Sequence, residues 1–339
     1  MKPLSALILT FAALILTCCA MLGRTDPNPE SDALSRLRGR VRIDGSSTVY
    51  PLSEAVAEEF SRLTRRVRTT VGVSGTGGGF KRFCKGETDA CNASRPITNS
   101  EVEACARAGL EFIELPVAFD GLCIVVNPRN DWVRSLTVEQ VRRLYSAKDP
   151  ARTWRDLDPS WPDRPIRVYS PGTDSGTFDF FREVIVGRGG TIRSDMSVSE
   201  DDNVLVKGVE GELDSIGYFG FAYFKENAQL LRAVPLDGGK GPVAASDATI
   251  LDGSYAPLSR PLFVYVNRRA ADLPAVNAYV DFMLTHAATL AEEVGYTPLP
   301  GALGQAATSV WNARRTGTQM LNARGERVSG PLMEVYRAP

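Results

Sequence analysis

Between residues 41 and 145, short apolar runs alternate with stretches in which apolar positions recur every three or four residues. The two spacings belong to strands and to amphipathic helices. Val41–Gly45 reads as a first strand, and 51–63 as a helix with Val56, Phe60 and Leu63 on one face. Arg68–Val73 reads as a second strand, 79–83 as the opening of a second helix, and Thr88–Ala93 as a third strand. A third helix is predicted over 99–108, with Val102 and Ala106 inward. Ile113–Asn127 is a long extended stretch, followed by a helix over 137–145. The pattern continues through strand 166–170, helix 177–186, extended 215–224, a second long extended stretch at 260–266, and helix 275–284.

Such alternation predicts an α/β fold with largely parallel strands. The two long extended segments bracket a central block, which predicts two lobes joined by two crossovers. The expected division is 41–120 with 259–325 as one discontinuous lobe, 121–258 as the other, and 326–339 as a C-terminal tail.

The N-terminus has a different pattern. A short positive start precedes an apolar run from Leu4 to Leu22, the signature of a secretory signal over 1–23. The run ends in Leu16-Thr17-Cys18-Cys19, which resembles the lipobox of bacterial lipoproteins and would make Cys19 the lipidated residue. Plain secretion and an uncleaved anchor are the alternatives. All three place the rest of the chain outside the cytoplasm, periplasmic or on the cell surface. Residues 24–40 are polar and read as a tether.

Composition narrows the function. The 339 residues are 43% apolar and 23% charged, ordinary for a globular protein. The net charge of −1 leaves no basic excess to grip nucleic acid. The single histidine, His286, removes most histidine-based catalysis and most zinc sites. A serine hydrolase at Ser175 or Ser47 would need His286, which lies in a helix-like stretch near no comparable motif. No enzyme, metal or cofactor is expected. Beyond the leader stand Cys84, Cys91, Cys105 and Cys123, an even number that favours disulfides in an exported chain and allows three pairings. The expected one is Cys84–Cys105 with Cys91–Cys123, because Cys91 and Cys123 lie in strand-like segments that could be neighbours.

The candidate chemistry lies in three turns between a strand and a helix: 44–51 (DGSSTVYP), 74–79 (SGTGGG) and 170–177 (SPGTDSGT). Each puts small hydroxyl residues and exposed N–H groups at a helix N-terminus, where donors lack internal partners and the dipole is positive. The second turn is neither a P-loop nor a dinucleotide fingerprint, since Phe80 stands where the last glycine should be. Arg95, at the end of the third strand, offers a planar donor fork suited to a tetrahedral oxyanion.

The segments DGSSTVYPLSEAVAEEF, SGTGGGFKRFCKGETDACNASRPI, ELPVAFDGLCIVVNP, SPGTDSGTFDFF and DDNVLVKGVEGELDSIGYFGFAYF, from about Val41 to about Leu299, together resemble the phosphate-specific substrate-binding proteins of bacterial ABC transporters. The resemblance implies a periplasmic-binding-protein type II fold, a monomer that closes over inorganic phosphate and hands it to a permease complex in the membrane. It places the anion on Ser47, Thr48 and the backbone of Val49, on Thr76, and on Ser175, Gly176 and Thr177. Two positions depart from the family pattern: Arg95 stands where a carboxylate is usual, and Pro171-Gly172-Thr173 where an arginine is usual. Asp174 is then the nearest acceptor for the proton that hydrogen phosphate carries and sulfate lacks. A binding protein for sulfate or molybdate, and a surface phosphate sensor or adhesin, are the alternatives.

Overall fold

The computed structural model describes residues 29–339 except Asp174 and Arg188. The leader, Cys19 and the start of the tether lie outside the described residues. So does Asp174.

The first half runs α1 (Pro29–Arg36), β1 (Arg38–Gly45), α2 (Tyr50–Leu63), β2 (Arg66–Val71), α3 (Gly75–Phe83), β3 (Ala90–Ala93) and α4 (Asn99–Arg107). β4 (Phe112–Val126) leads to β5 (Leu136–Thr137), α5 (Val138–Tyr145) and β6 (Arg167–Pro171). After α6 (Gly176–Phe181), which runs on as a π-helical turn over Arg182–Val186, come β7 (Ser197–Ser199), α7 (Asp202–Gly211), β8 (Ser215–Gly220) and α8 (Phe221–Glu226). The short β9 (Arg232–Ala233), β10 (Leu236–Asp237) and β11 (Pro242–Val243) precede α9 (Asp247–Leu251). β12 (Ser259–Asn267) returns the chain to the first half, followed by α10 (Pro274–Glu293), β13 (Thr297–Pro298), α11 (Gly301–Asn312) and α12 (Leu332–Val335).

The principal sheet has the order β2-β1-β3-β12-β4-β8-β6-β7. β1 is parallel to β2 and β3, and β6 to β7 and β8. β12 and β4 run antiparallel to their neighbours and to each other. The expected parallel character therefore holds within each half, and the two long strands break it because they carry the chain between halves. All fifteen positions of β4 are buried, as a strand covered on both faces along its length must be.

Tight packing sets the two N-terminal turns side by side. A Cβ at Gly45 would lie 2.1 Å from the Asn92 carbonyl oxygen, and one at Gly79 would lie 2.5 Å from the Gly45 Cα. Glycine is required at both for α3 to approach β1 and β3 this closely. This contact also explains why the helix begins at Gly75, four residues before the predicted start. Packing overrides the poor helical propensity of the glycine run.

Three expectations need correction. The tether does not extend to residue 40, because Leu34 and Leu37 pack on the core and β1 begins at Arg38. The C-terminal segment is no tail, since Leu332 and Tyr336 are buried and the Tyr336 hydroxyl donates to the Glu114 carbonyl at 2.7 Å. Cys84 and Cys105 are joined, whereas Cys91 and Cys123 are free and buried. Cys91 sits opposite Tyr265 on β12, and Cys123 pairs across from Phe219 on β8. The two thiols thus lie on strands separated by β12, on different halves of the sheet.

The Cys84–Cys105 bond closes a loop with a sequence separation of 21. The Cys84→Ser/Cys105→Ser variant is expected to lose about 2–4 kcal/mol in denaturant unfolding. An unchanged midpoint would contradict that. Both thiols are fully buried and burial pushes them well up, so neither is expected to react with a thiol reagent in the folded protein.

Candidate functional site

A cleft of about 790 Å³ lies where the turns before α2 and α3 meet the start of β12 and the α6–π-turn region. Ser46, Ser47, Thr48, Gly75, Thr76, Gly77, Ser94 and Arg95 line it from the first half. Asp179, Phe180, Arg182 and Glu183 line it from the second.

The hydroxyls differ in what they can still offer, because a serine or threonine has a single proton. Thr48 Oγ1 accepts from Arg260 Nη2 at 2.7 Å. Thr76 Oγ1 accepts from the Ser94 amide at 3.2 Å, with Ser94 Oγ also 3.2 Å away. Ser175 Oγ accepts from the Thr177 amide at 3.2 Å as the N-cap of α6. At Thr48 and Ser175 the bond from a protein donor occupies a lone pair and leaves the hydroxyl's own proton for another acceptor. At Thr76 the second contact, to Ser94 Oγ, can run in either direction, so its proton serves that serine or an anion. Ser47 is different: its hydroxyl donates to Asp179 Oδ2 at 3.2 Å, which ties the first turn to the second half. The Val49 side chain is fully buried as the N-cap residue of α2, so only its backbone is of use. Pro51 follows at the helix start, where a missing N–H costs nothing. The Thr48 carbonyl accepts from the Tyr296 hydroxyl, which fixes the turn from below.

The structure brings Ser47, Thr48, Thr76 and Arg95 onto one cleft. Ser175, Gly176 and Thr177 are not on its wall. They abut it instead: a Cβ at Gly176 would lie 3.0 Å from the Thr48 Cα and 3.4 Å from the Ser47 carbonyl. The third turn thus meets the first, backbone against backbone.

Arg95 lines the cleft, but its fork is engaged. Nη2 and Nη1 donate to the two Glu101 carboxylate oxygens at 2.7 and 2.9 Å, and the hydrogen bond to Glu101 raises its pKa. Glu101 is held in turn by the Thr98 capping box at the start of α4.

Sequence reasoning missed the most connected charged group of the site. Arg260, at the start of β12, donates to Thr48 and also reaches Asp120 Oδ2 on β4 at 3.2 Å. Its guanidinium lies over the Phe180 ring at 3.5 Å. One side chain therefore joins the first turn, both crossover strands and the second half. Burial pushes the Asp120 carboxyl up and the Arg260 guanidinium down, and each charge opposes the shift of the other. The detectable signal was an aspartate inside the apolar run 113–127, since a buried charge needs a partner.

His286 is exposed on α10 against the Phe282 ring, so Ser47 and Ser175 have no histidine base among the described residues. No group of acidic, histidine or cysteine side chains able to hold a metal occurs among the described residues.

Two α/β halves joined by two crossover strands, with an anion-suited cleft at the joint, define a two-lobed solute-binding protein. The chain matches the PBP superfamily domain over residues 30–287. It is 47% identical to Protein SphX of Synechococcus elongatus, covering 91% of this chain and 90% of that one. It is 38% identical to the phosphate-binding protein PstS of Staphylococcus saprophyticus over 85% of this chain and 87% of that one. A crystal structure from Planctomyces limnophilus, described as a possible phosphate binding protein, superimposes with a TM-score of 0.80 at 41% identity. It covers 82% of this chain and 99% of that one. The chain belongs to the PBP superfamily and, within it, to the family that includes SphX and the phosphate-binding protein PstS, a family of transport proteins and not of enzymes.

Proposed function

We propose that this protein captures inorganic phosphate between its two lobes outside the cytoplasm and delivers it to the permease of an ABC transporter. The observation that carries the reading is the convergence of the α2 and α3 N-termini, with the Thr48 and Thr76 hydroxyls, on a cleft organised by Arg260. Relatives named as phosphate-binding proteins support it. The lobe boundary falls where Arg260 on β12 pairs with Asp120 on β4, so the hinge and the site share these residues. Charge-assisted donors and two or three helix N-termini together supply on the order of 8 kcal/mol, which means micromolar affinity or tighter.

Selection against sulfate requires an acceptor for the proton of hydrogen phosphate. Asp179 and Glu183 on the cleft wall supply carboxylates for it, beside the Asp174 role read from the sequence. The protein acts as a monomer, with Cys19 carrying its lipid anchor. No helix among the described residues is long and apolar enough to cross a membrane.

Isothermal titration of the mature chain tests the reading. Phosphate is expected to bind with a Kd of about 1 µM or below, and sulfate about 100-fold more weakly or worse. Tighter binding of sulfate or molybdate than of phosphate would replace it with the other-oxyanion reading.

A further inference from the structure

Four arginines line the cleft: Arg95, Arg182, Arg260 and Arg327. Three of them are neutralised by a carboxylate: Arg95 by Glu101, Arg182 by Asp179 and Arg260 by Asp120. The Arg327 guanidinium has no ion pair or hydrogen bond among the described residues. Its neighbour Glu326 is occupied by Asn322 Nδ2 at 2.9 Å. Glu183, which has a partner of its own, is the other acidic side chain on the wall beside Asp179.

Arg327 comes from the C-terminal segment, beyond the strands and helices that build the two lobes. That segment is firmly placed. The Thr318 hydroxyl and the Gln319 amide donate to the buried Glu114 carboxylate on β4, at 2.6 and 3.0 Å. Met320 is buried, and the Val328 amide donates to its carbonyl at 2.9 Å. Leu321 and Arg327 form a bridge across the turn between them. Arg327 also lines a neighbouring cavity of about 200 Å³, together with Pro261 of β12 and the α9 residues Ile250 and Leu251. It therefore stands at the mouth of the cleft between the hinge and the second lobe.

Resting on the phosphate reading above, we infer that Arg327 is the residue that recruits the anion into the cleft. A paired arginine presents little net charge to an approaching dianion. An exposed, unpaired one at the mouth attracts it, and such rim charges act on the association rate far more than on dissociation. Arg324, exposed on the same turn but absent from the cleft wall, provides a control with the same change in net charge.

The test is stopped-flow fluorescence of the full mature chain mixed with inorganic phosphate, for the wild type, Arg327→Gln and Arg324→Gln. At about 20 mM salt, Arg327→Gln is expected to slow association about fivefold, the scale of one charge acting on a dianion through several ångströms of water. At about 0.5 M salt the difference shrinks to within about twofold. Arg324→Gln follows the wild type at both. If Arg327→Gln keeps the wild-type rate, or Arg324→Gln slows equally, the inference is overturned while the phosphate reading stands. A wild type that binds no phosphate overturns both.

Discussion

Arg260→Met is expected to lower the melting temperature by about 5–10 °C and to weaken phosphate binding at least about 100-fold. The stability loss follows from what remains behind. Asp120 is 2% exposed, and Arg260 is the partner its carboxylate has in ion pairing at 3.2 Å. Removing one member of a buried pair leaves an uncompensated charge and costs about 3–5 kcal/mol, which for a chain of this size gives the stated shift. The binding loss follows from the same side chain, because Arg260 orients the Thr48 hydroxyl and stacks on Phe180 across the cleft. Arg260→Met/Asp120→Leu separates the two effects. With both charges gone, stability should recover by several degrees while binding stays lost. Thermal unfolding and titration of both variants give the answer. A single variant that melts with the wild type would show that the pair does not hold the hinge.

Gly176→Val should do the reverse, leaving the melting temperature within about 2 °C while weakening phosphate binding at least about 100-fold. Gly176 opens α6, and no positive φ is required of it. Its special demand is space: a Cβ there already lies 3.0 Å from the Thr48 Cα and 3.3 Å from the Thr48 nitrogen. These are backbone atoms that cannot swing aside. The branched side chain pushes the third turn away from the first, so the Ser175 hydroxyl and the α6 N-terminus can no longer share an anion with Thr48. Since each half keeps its own core, stability is spared. Titration with phosphate checks it, and undiminished affinity would mean that the third turn takes no part in binding.

Much of this architecture was readable from residue spacing. The strand–helix alternation, the two long extended segments that became β4 and β12, and the hydroxyl-glycine turns at helix starts are local signals, and local periodicity reports them well. What escaped depends on contacts between distant segments. The early start of α3 rests on Gly79 meeting Gly45. Cys91 and Cys123 look like neighbouring strand residues in the sequence, yet β12 returns from 140 residues further on, by the separation of Arg260 and Asp120, to lie between their strands. The docking of Tyr336 and Thr318 onto Glu114 joins residues more than 200 apart. Arg260 looks, in the sequence, like a polar residue bordering a strand. Only the pairing of the two crossovers gives it Asp120, Thr48 and Phe180 at once.

The three turns divide in the same way. Their helix N-termini were legible, while the roles of individual hydroxyls were not. Whether a hydroxyl proton is free depends on which neighbour donates to its oxygen, as Ser94 does to Thr76, or accepts from it, as Asp179 does from Ser47.

A crystal structure of the mature chain grown with phosphate tests the central claim most directly. The anion should lie between the turns before α2 and α3, within hydrogen-bonding distance of the Thr48 and Thr76 hydroxyls, with the Ser175 end of α6 closing on it. Phosphate bound elsewhere, with Thr48, Thr76 and Arg260 making no contact to it, would contradict the account.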